Sequence, residues 1–334
     1  MRLFLMTIGI VLALGNPVYQ TQAEDLQLIR IVTGGIAGTY YPIGVMIAHA
    51  ISHPPGALPC EQGGSCGPPG LMVIAQSSNG SVANVRDIHN GHLESGFVQS
   101  DIAYWAYTGT GTFEGERPYS ELRTIANLYQ ESIHIVVRQG SDIEQIRDLI
   151  GKRVSLDEPG SGTLIDAELV LDAYGITRED IEAEYMKAEL AIRRIRENKL
   201  DAFFVVAGYP ARAVSELASD GGVVLLPING PEAELLVSRY RFFTYDEIPR
   251  GTYPGVAGIK TISVGAQWLV GTGLEDESVY EITRTLWNEN SRKLLDSGHA
   301  KGGRITLETA LRGLVIPLHP GARRFYNEIG LVTE

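Results

Sequence analysis

The segment LIRIVTGGIAGTYYPIGVMIAHAI, residues 28–51, holds an apolar run, a glycine-rich loop and a second apolar run in succession. The first run, which ends at Val32, predicts a buried strand. Ile43, Ile47 and Ile51 recur at every fourth position, which places them on one face of a helix. The segment therefore predicts a strand, a loop and a helix.

The same order of strand, loop and helix recurs along the chain. Further strands are predicted at residues 71–75, 96–98, 152–156, 202–206 and 223–226, with helices that begin near Ser81, around Tyr104 and after the GSGT motif. Alternating strands and helices predict mostly parallel sheets with helices on both faces. The units fall into two clusters, and 334 residues are comfortable for two lobes.

Two long apolar stretches separate these clusters. The stretch TIANLYQESIHIVVRQG, residues 124–140, predicts a strand that crosses from one lobe to the other, and residues 261–270 predict the return crossing. The fold class is therefore an α/β fold of two lobes, each with a mostly parallel sheet, joined by crossing strands. We expect lobe 1 to comprise residues 24–129 plus 258–334, and lobe 2 residues 130–257.

The N-terminus is typical of an export signal. Arg2 precedes an apolar stretch from Leu3 to Leu14, and the small pair Thr21 and Ala23 offers a cleavage point. The stretch is shorter than the roughly 20 residues that span a bilayer. We therefore expect residues 1–23 to be a signal peptide, cleaved near Ala23, and the mature protein to be periplasmic.

The two cysteines of the chain, Cys60 and Cys66, lie in a loop rich in glycine and proline. Two cysteines this close favour a disulfide in an oxidising compartment. A structural zinc site needs four ligands, and the chain has no second cysteine pair. The sequence therefore predicts a Cys60–Cys66 disulfide and no metal site.

The net charge of the chain is −12. Nucleic acids and anionic membrane surfaces are bound through basic patches, so neither is expected as a partner. A small acidic ligand remains compatible, because the field within one site can oppose the field of the whole protein.

Four loops after predicted strands are rich in glycine and small hydroxyl residues. They are TGGIAGTYYP (33–42), QSSNGS (76–81), VQSD (98–101) and EPGSGT (158–163). Open parallel sheets bind ligands at such loops, and each loop places free N–H groups at a helix N-terminus, where an anion is stabilised. Any one of them alone is more often a simple helix cap. Three lie in one lobe and one in the other, which predicts a ligand held from both sides.

Three side chains in these loops allow two interpretations. Tyr40 and Tyr41 open the first helix, and either one packs in the core while the other covers the surface, or one ring lines the ligand site. Asp101 either caps its helix or receives a ligand ammonium group, and capping is the commoner role.

No catalytic arrangement is recognised. GGSCG (63–67) matches a nucleophile elbow only formally, since no strand precedes it. GGIAG lacks the G-x-G-x-x-G form of a dinucleotide site, and His49 and His53 lack the Glu of a zinc protease motif. His134 and His319 have no companions at ligand spacing. We therefore expect no enzyme activity and no cofactor; a secreted hydrolase is the least favoured class.

A series of motifs resembles one family of receptors. They are TGGIAGTYYPIG, AQSSNGSVANVRDI, GFVQSDIA, HIVVRQGS, GKRVSLDEPGSGT, LDAFFVVAG, IPRGTYPG and ITLETALRGLVIPLHPGARRFYNEIGL, from about Leu28 to Leu331. Their order and spacing resemble the TAXI family, the extracytoplasmic solute receptors of tripartite ATP-independent periplasmic (TRAP) transporters.

The resemblance implies a type II periplasmic-binding-protein-like fold that closes on its ligand. The ligand would be a small organic acid, such as glutamate, a related dicarboxylate or a 2-oxo acid. The loaded receptor would dock on a TRAP membrane permease driven by an ion gradient. The ligand contacts that it implies are Gly34, Thr39, Tyr40, Ser78, Asn79, Gln99 and Ser100 in lobe 1, and Ser161, Gly162, Thr163, Gly208 and Tyr209 in lobe 2.

Other dicarboxylate receptors of these transporters hold the carboxylate with a buried arginine. Arg138 is the nearest candidate by position, with a surface arginine as the alternative. Without an arginine, N–H groups, hydroxyls and helix ends would hold the acid. We expect a monomer. The alternative function is a periplasmic sensory module for a membrane histidine kinase.

Overall fold

The computed structural model describes residues 26–332, so the predicted signal peptide and its cleavage point lie outside the described residues. The strands are β1 (Gln27–Val32), β2 (Leu71–Gln76), β3 (Ser95–Gln99), β4 (Leu122–Arg138), β5 (Arg153–Ser155), β6 (Glu182–Glu184), β7 (Ala202–Ala207), β8 (Val223–Leu226), β9 (Thr244–Ile248) and β10 (Ile259–Gly271). The helices are α1 (Tyr40–Ile51), α2 (Ser81–His89), α3 (Ser100–Thr108), α4 (Gly162–Ala173), α5 (Ala188–Arg196), α6 (Arg212–Ser219), α7 (Gly230–Arg239), α8 (Asp276–Leu286), α9 (Glu289–Gly298) and α10 (Pro320–Glu328).

The strands form one continuous sheet. Its order is β2-β1-β3-β10-β4-β7-β5-β6, with β8 paired to β4 and β9 to β10. β1, β2 and β3 are parallel in lobe 1, and β5, β6 and β7 are parallel in lobe 2. The predicted α/β fold with a parallel set of strands in each lobe and crossing strands is confirmed, and the two parallel sets are parts of one sheet.

The two crossing strands join the lobes. β4 and β10 run antiparallel to each other. β10 pairs with β3 of lobe 1 and with β9 of lobe 2, and β4 pairs with β7 of lobe 2. Along β4, pairing with β7 of lobe 2 begins at Ser132. Glu131, the residue before it, therefore lies at the boundary between the lobes. The residue limits given above for each lobe stay a prediction.

Helices cover both faces of the sheet. In lobe 1 a core that includes Ile43, Ile47, Trp268 and Tyr326 packs between the sheet and the layer of α1, α8 and α10. In lobe 2 a separate core lies under α5 and α6. A third core, on the opposite face, runs under α2, α3, α4 and α7 and so belongs to both lobes. Burial of these apolar faces is the main force that holds the helices on the sheet.

The cysteine loop lies on the surface beside α9. Cys60 and Cys66 form the expected disulfide, with 4.8 Å between their Cα atoms. Asn290 of α9 donates a hydrogen bond of 2.9 Å from its amide to the Cys66 sulfur, which ties the loop to lobe 1. Among the described residues, no helix is both long enough and apolar enough to cross a membrane.

Candidate functional site

A cavity of about 70 Å³ lies between the lobes, at the carboxyl ends of the parallel strands. Lobe 1 contributes the loops that follow β1, β2 and β3, and lobe 2 contributes the loop after β5 and the start of α5. Glu131 of the crossing strand lines it between them. The predicted loops of the two lobes therefore face each other across one cavity.

The loops form one side of this cavity, which we call the loop side: residues 34–40, 79–81 and 161–163. The Ser161 hydroxyl accepts a hydrogen bond of 3.0 Å from the Leu164 N–H, so it caps α4 and leaves the N–H groups of the first turn directed at the cavity. Such N–H groups carry partial positive charge and stabilise an anion.

The two lobes touch closely at the rim of the loop side. Gly80 has a φ of +115°, and a Cβ at this position would lie 3.1 Å from the Ser161 Cα. Only glycine adopts this backbone conformation and allows this approach without strain. The Ala83 N–H donates to the Gly160 carbonyl across the gap, at 2.9 Å. These contacts describe a closed form.

Side chains from the two lobes complete the closure. The Thr39 hydroxyl donates to the Gly208 carbonyl at 2.5 Å, and the Gln99 amide donates to the Asp166 carboxylate at 2.8 Å. Lys187 donates to the Ser78 carbonyl at 3.2 Å. Each bond joins one residue of lobe 1 to one of lobe 2, so each forms only when the lobes come together.

Four carboxyl groups also line the cavity, and we call them together the acidic side: Glu131, Asp157, Glu158 and Glu189. Glu158 forms an ion pair of 3.1 Å with Lys187, which is the lysine that lines the cavity. Burial raises the pKa of Glu131 to about 8 and that of Asp157 to about 7. The acidic side thus opposes a second negative charge unless its carboxyls are protonated or paired.

The Glu189 side chain forms a hydrogen bond with an N–H group of the glycine-rich loop after β1. Its carboxylate, from lobe 2, accepts a hydrogen bond of 2.8 Å from the Ala37 N–H of lobe 1. The Gly35 backbone lies against the same carboxylate. The Ala37 N–H group, which the loop sequence leaves free for a ligand, is therefore hydrogen-bonded to another residue of the protein.

Several buried polar groups around Glu131 have no hydrogen-bond partner. They include the hydroxyls of Tyr40 and Tyr129 and one carboxylate oxygen of Glu131. The pKa of both tyrosines is raised, mainly by burial and next by the neighbouring Glu131 carboxyl. Buried polar groups are nearly always paired, so unpaired groups at a cavity indicate where a ligand supplies the partner.

Behind these groups, the carboxyls of Asp101 and Asp166 face each other from opposite lobes. Burial raises the pKa of Asp101 to about 7 and raises the pKa of Asp166 strongly, with the Asp101 charge as the next cause. The pair therefore retains a proton near neutral pH. Within residues 26–332, no three His, Cys, Asp or Glu side chains are arranged to hold a metal ion.

The structure brings eight of the twelve predicted contact residues to the cavity. They are Gly34, Thr39, Tyr40, Asn79, Gln99, Ser161, Gly162 and Thr163. The Tyr40 ring packs edge-on against Phe97, and its hydroxyl end lies beside Glu131. Its contact with a ligand stays a prediction. Tyr41 is only partly buried.

The other four predicted residues lie next to the cavity and serve the fold or the closure. The Ser78 hydroxyl donates to the Thr33 carbonyl at 3.0 Å, and the Ser100 hydroxyl accepts from the Gly265 N–H at 3.1 Å. The Gly208 carbonyl accepts the hydrogen bond from the Thr39 hydroxyl. The Tyr209 ring lies beneath the Lys301 ammonium group, 3.7 Å from the ring centre.

Two further expectations are corrected by the structure. Arg138 forms an ion pair of 3.1 Å with Asp201 at the far end of β4, away from the cavity, so it is no candidate for holding a carboxylate. Asp101 is the second residue of α3, not its N-cap, and neither of its carboxylate oxygens has a hydrogen-bond partner. The capping role expected for Asp101 is not observed.

Sequence reasoning missed the acidic side. Glu131 stands inside a strand whose other residues are almost all apolar or uncharged, and a lone Glu in such a strand is a signal, because charged residues are rarely buried without a partner. Asp157 and Glu158 directly precede the predicted EPGSGT glycines. Lys187 and Glu189 lie at the start of an ordinary amphipathic helix and carry no comparable signal.

Known structures resemble this fold at low sequence identity. A protein from Bordetella bronchiseptica RB50 is 15% identical, with 88% of this chain and 83% of that chain covered and a TM-score of 0.52. The alkanesulfonate-binding protein SsuA from Xanthomonas axonopodis pv. citri bound to MOPS is 14% identical over 93% and 96%, with a TM-score of 0.45. An ancestral arginine-binding protein bound to arginine is 12% identical over 82% and 98%, with a TM-score of 0.47. At this identity the likeness to the Bordetella protein concerns the fold alone.

A family model covers most of the chain. Residues 31–330 match the NMT1-like family, from the end of β1 to the end of α10. The match includes every loop and strand that lines the cavity. The chain therefore belongs to the NMT1-like family.

Proposed function

We propose that the protein is a solute receptor that closes around a small polar molecule and presents it to a membrane transporter, with no chemistry of its own. The observation that carries this function is the cavity itself: helix N-termini of two lobes meet there, and two crossing strands link the lobes. Such a pair of linked lobes can open and close about the strands, and ligand shifts the two populations.

The solute is a small organic acid. The cavity between the lobes has a volume of about 70 Å³, which favours a small solute. The N–H groups and hydroxyls of the loop side are suited to a carboxylate, and no arginine lines the cavity in the described residues. Glutamate and its relatives, including related dicarboxylates and 2-oxo acids, are the ligands that we propose.

The receptor is proposed to serve a TRAP transporter as a member of the TAXI family. This rests on the eight motifs quoted above, which extend over nearly the whole mature chain. On this proposal the protein works in the periplasm after removal of residues 1–23, acts as a monomer, and docks its closed form on an ion-driven permease.

Isothermal titration calorimetry and thermal unfolding of the mature chain test this function. One small organic acid from a panel of amino acids, 2-oxo acids and dicarboxylates should bind and raise the Tm, since a ligand that binds only the folded state stabilises it. Tyr40→Phe removes one hydroxyl from the cavity and should weaken binding several-fold. Tyr41→Phe is the matched control outside the cavity. No binding by any member of the panel would refute the proposal.

A further inference from the structure

Glu131 is the most deeply placed charged group of the cavity. Its residue is 2% exposed, it lines the cavity, and it belongs to the crossing strand rather than to either lobe's loops. Within residues 26–332 it forms no ion pair, and one of its carboxylate oxygens has no hydrogen-bond partner. A carboxylate in this position is costly unless a cation or hydrogen-bond donor reaches it.

The protein's own nearby cation is engaged elsewhere. The Lys301 ammonium group lies over the Tyr209 ring, 3.7 Å from its centre, and forms no salt bridge in the described part of the chain. The hydroxyls of Tyr40 and Tyr129, which are 7% and 3% exposed as residues, also lack partners beside Glu131. Tyr40 lines the cavity with Glu131, so its phenol oxygen and the carboxylate offer acceptors for a group with several N–H bonds.

An ammonium group fits these acceptors better than a metal ion does. It donates three hydrogen bonds in rotatable directions, whereas calcium needs six to eight converging oxygens. The other carboxyls behind Glu131, those of Asp101 and Asp166, strengthen the attraction for a positive group whenever they are ionised. The N–H groups of the loop side line the same cavity and are suited to a carboxylate.

We infer that Glu131 receives a protonated amine of the solute, so that the ligand is a small amino acid held by its carboxylate at the loop side and by its ammonium group at Glu131. This inference rests on the proposed function and narrows its ligand class. A 2-oxo acid, a hydroxy acid or a dicarboxylate without an amine would leave the buried Glu131 carboxyl without a cationic partner.

The experiment compares matched ligands that differ at one group. Calorimetry at pH 7.5 would measure L-glutamate against 2-oxoglutarate, L-aspartate against L-malate, and L-alanine against L-lactate. In at least one pair the wild-type protein should bind the amino member ten-fold or more tightly than its partner, because a hydrogen-bonded charge pair in a buried site is worth at least that factor. This comparison needs no variant.

Glu131→Gln then tests the contact itself. This substitution should lower the affinity for the amino member of the pair by about ten- to a hundred-fold. It should leave the affinity for the other member unchanged or higher, so that the preference for the amino member disappears. Glu184→Gln is the control, because it removes the same charge from a surface carboxylate that pairs with Arg194 at 2.9 Å outside the cavity. It should leave both affinities unchanged.

The possible failures are distinguishable. Equal or tighter binding of the oxo or hydroxy acid by the wild-type protein overturns the inference and leaves the receptor function standing. A preference for the amino member that survives in Glu131→Gln also overturns it, because the ammonium group is then held elsewhere. Absence of binding for all six compounds and for the wider panel overturns the proposed function, and the inference falls with it.

Discussion

The cavity is lined by two sets of groups with opposite electrostatics. The loop side consists of backbone N–H groups and hydroxyls at the starts of α1, α2 and α4. The acidic side consists of carboxyls carried by the crossing strand β4, the loop after β5 and the start of α5. The first stabilises a negative charge, and the second opposes it.

A solute that pairs with the groups of only one side loses much of the binding free energy that the other side would contribute. A dicarboxylate is favoured at the loop side and repelled by the acidic side, whereas a simple amine has the reverse preference. A zwitterion can satisfy both. The contrast suggests that the cavity discriminates among acids by what else they carry, since a buried polar group left unpaired penalises the wrong ligand strongly.

Of the two sides, the loop side should be the one where a change in side-chain size lowers ligand affinity more. Gly80→Ala places a methyl group 3.1 Å from the Ser161 Cα of the other lobe, in a backbone conformation with a φ of +115°. We expect the closed form to be disfavoured and ligand affinity to fall by about a hundred-fold, or about 2.7 kcal/mol. Calorimetry measures the affinity, and small-angle scattering measures whether the lobes remain apart when ligand is added.

The control for that variant is Gly251→Ala. Gly251 also has a positive φ, of +87°, but no atom lies within 4 Å of a Cβ built there. The Gly251→Ala variant therefore has the cost of backbone strain without a clash between the lobes. Its affinity for ligand should match that of the wild-type protein. Loss of affinity in both variants would mean that backbone strain, not the approach of the lobes, is responsible.

A paired carboxylate outside the cavity gives the next largest effect. Asp201 accepts hydrogen bonds from the Arg153 guanidinium at 2.7 and 2.8 Å and from Arg138 at 3.1 Å. These bonds, led by those of Arg153, hold the pKa of Asp201 well below its usual range. Asp201→Asn should lower the free energy of unfolding by about 1 to 2 kcal/mol, reduced from the buried value because the arginines are partly exposed, and leave ligand affinity unchanged.

The pH dependence of that loss follows from the lowered pKa. The stabilisation by Asp201 is fully present above the unfolded pKa, near 4, and disappears as the pH falls toward the folded value. Chemical denaturation of the wild-type and Asp201→Asn proteins at pH 7 and pH 3 should therefore show a smaller difference at pH 3. A difference that is equal at both pH values would contradict the assignment.

The unpaired carboxylates inside the cavity should show the opposite pH dependence. Burial raises the pKa of Glu131 to about 8, so the folded, ligand-free protein binds a proton that the unfolded chain releases near pH 4.5. Stability from this group is therefore lost as the pH rises between about 5 and 8. Asp157 and Asp101, with pKa values of about 7, act in the same direction. Lys301, whose pKa burial lowers to about 8, begins to lose its proton only at the upper end of this range.

Unfolding of the ligand-free protein at pH 5.5 and pH 7.5 measures this effect. The wild-type protein should lose at least about 1 kcal/mol over the interval through Glu131. Glu131→Gln cannot ionise and should show a smaller loss, because only the other titratable groups then contribute. An equal loss in both proteins would place the proton on other groups.

The sequence predicts the loop side well and the acidic side poorly, for a physical reason. Gly34, Ser161 and Thr163 are found because strand, glycine-rich loop and helix form a local pattern that fixes where N–H groups point. The periodic apolar residues also predict both crossing strands to within two residues at each end. These features depend on neighbours in the chain.

The acidic side depends on residues far apart in the chain. Glu189 meets Ala37 across 152 positions, and Gln99 meets Asp166 across 67. No local pattern fixes such a pairing, because it depends on how the lobes pack. The same reason explains Ser100, whose place in a glycine and hydroxyl loop predicts a ligand contact, whereas its hydroxyl binds the Gly265 N–H of the crossing strand.

The smallest expected effect concerns a contact between the two sides. The Glu189 carboxylate of the acidic side accepts the Ala37 N–H of the loop side at 2.8 Å, and Glu189→Gln keeps an acceptor oxygen there while removing the negative charge. The closing contact should survive, and an anionic ligand should bind about five-fold more tightly, or about 1 kcal/mol at the screening typical of a partly hydrated site. Calorimetry with the best-binding acid measures the change, and Glu216→Gln, a surface carboxylate paired with Arg212, is the control. If affinity falls instead, the Glu189 carboxylate stabilises the contact between the lobes by more than it repels the ligand. The acidic side would then serve mainly to hold the two lobes together.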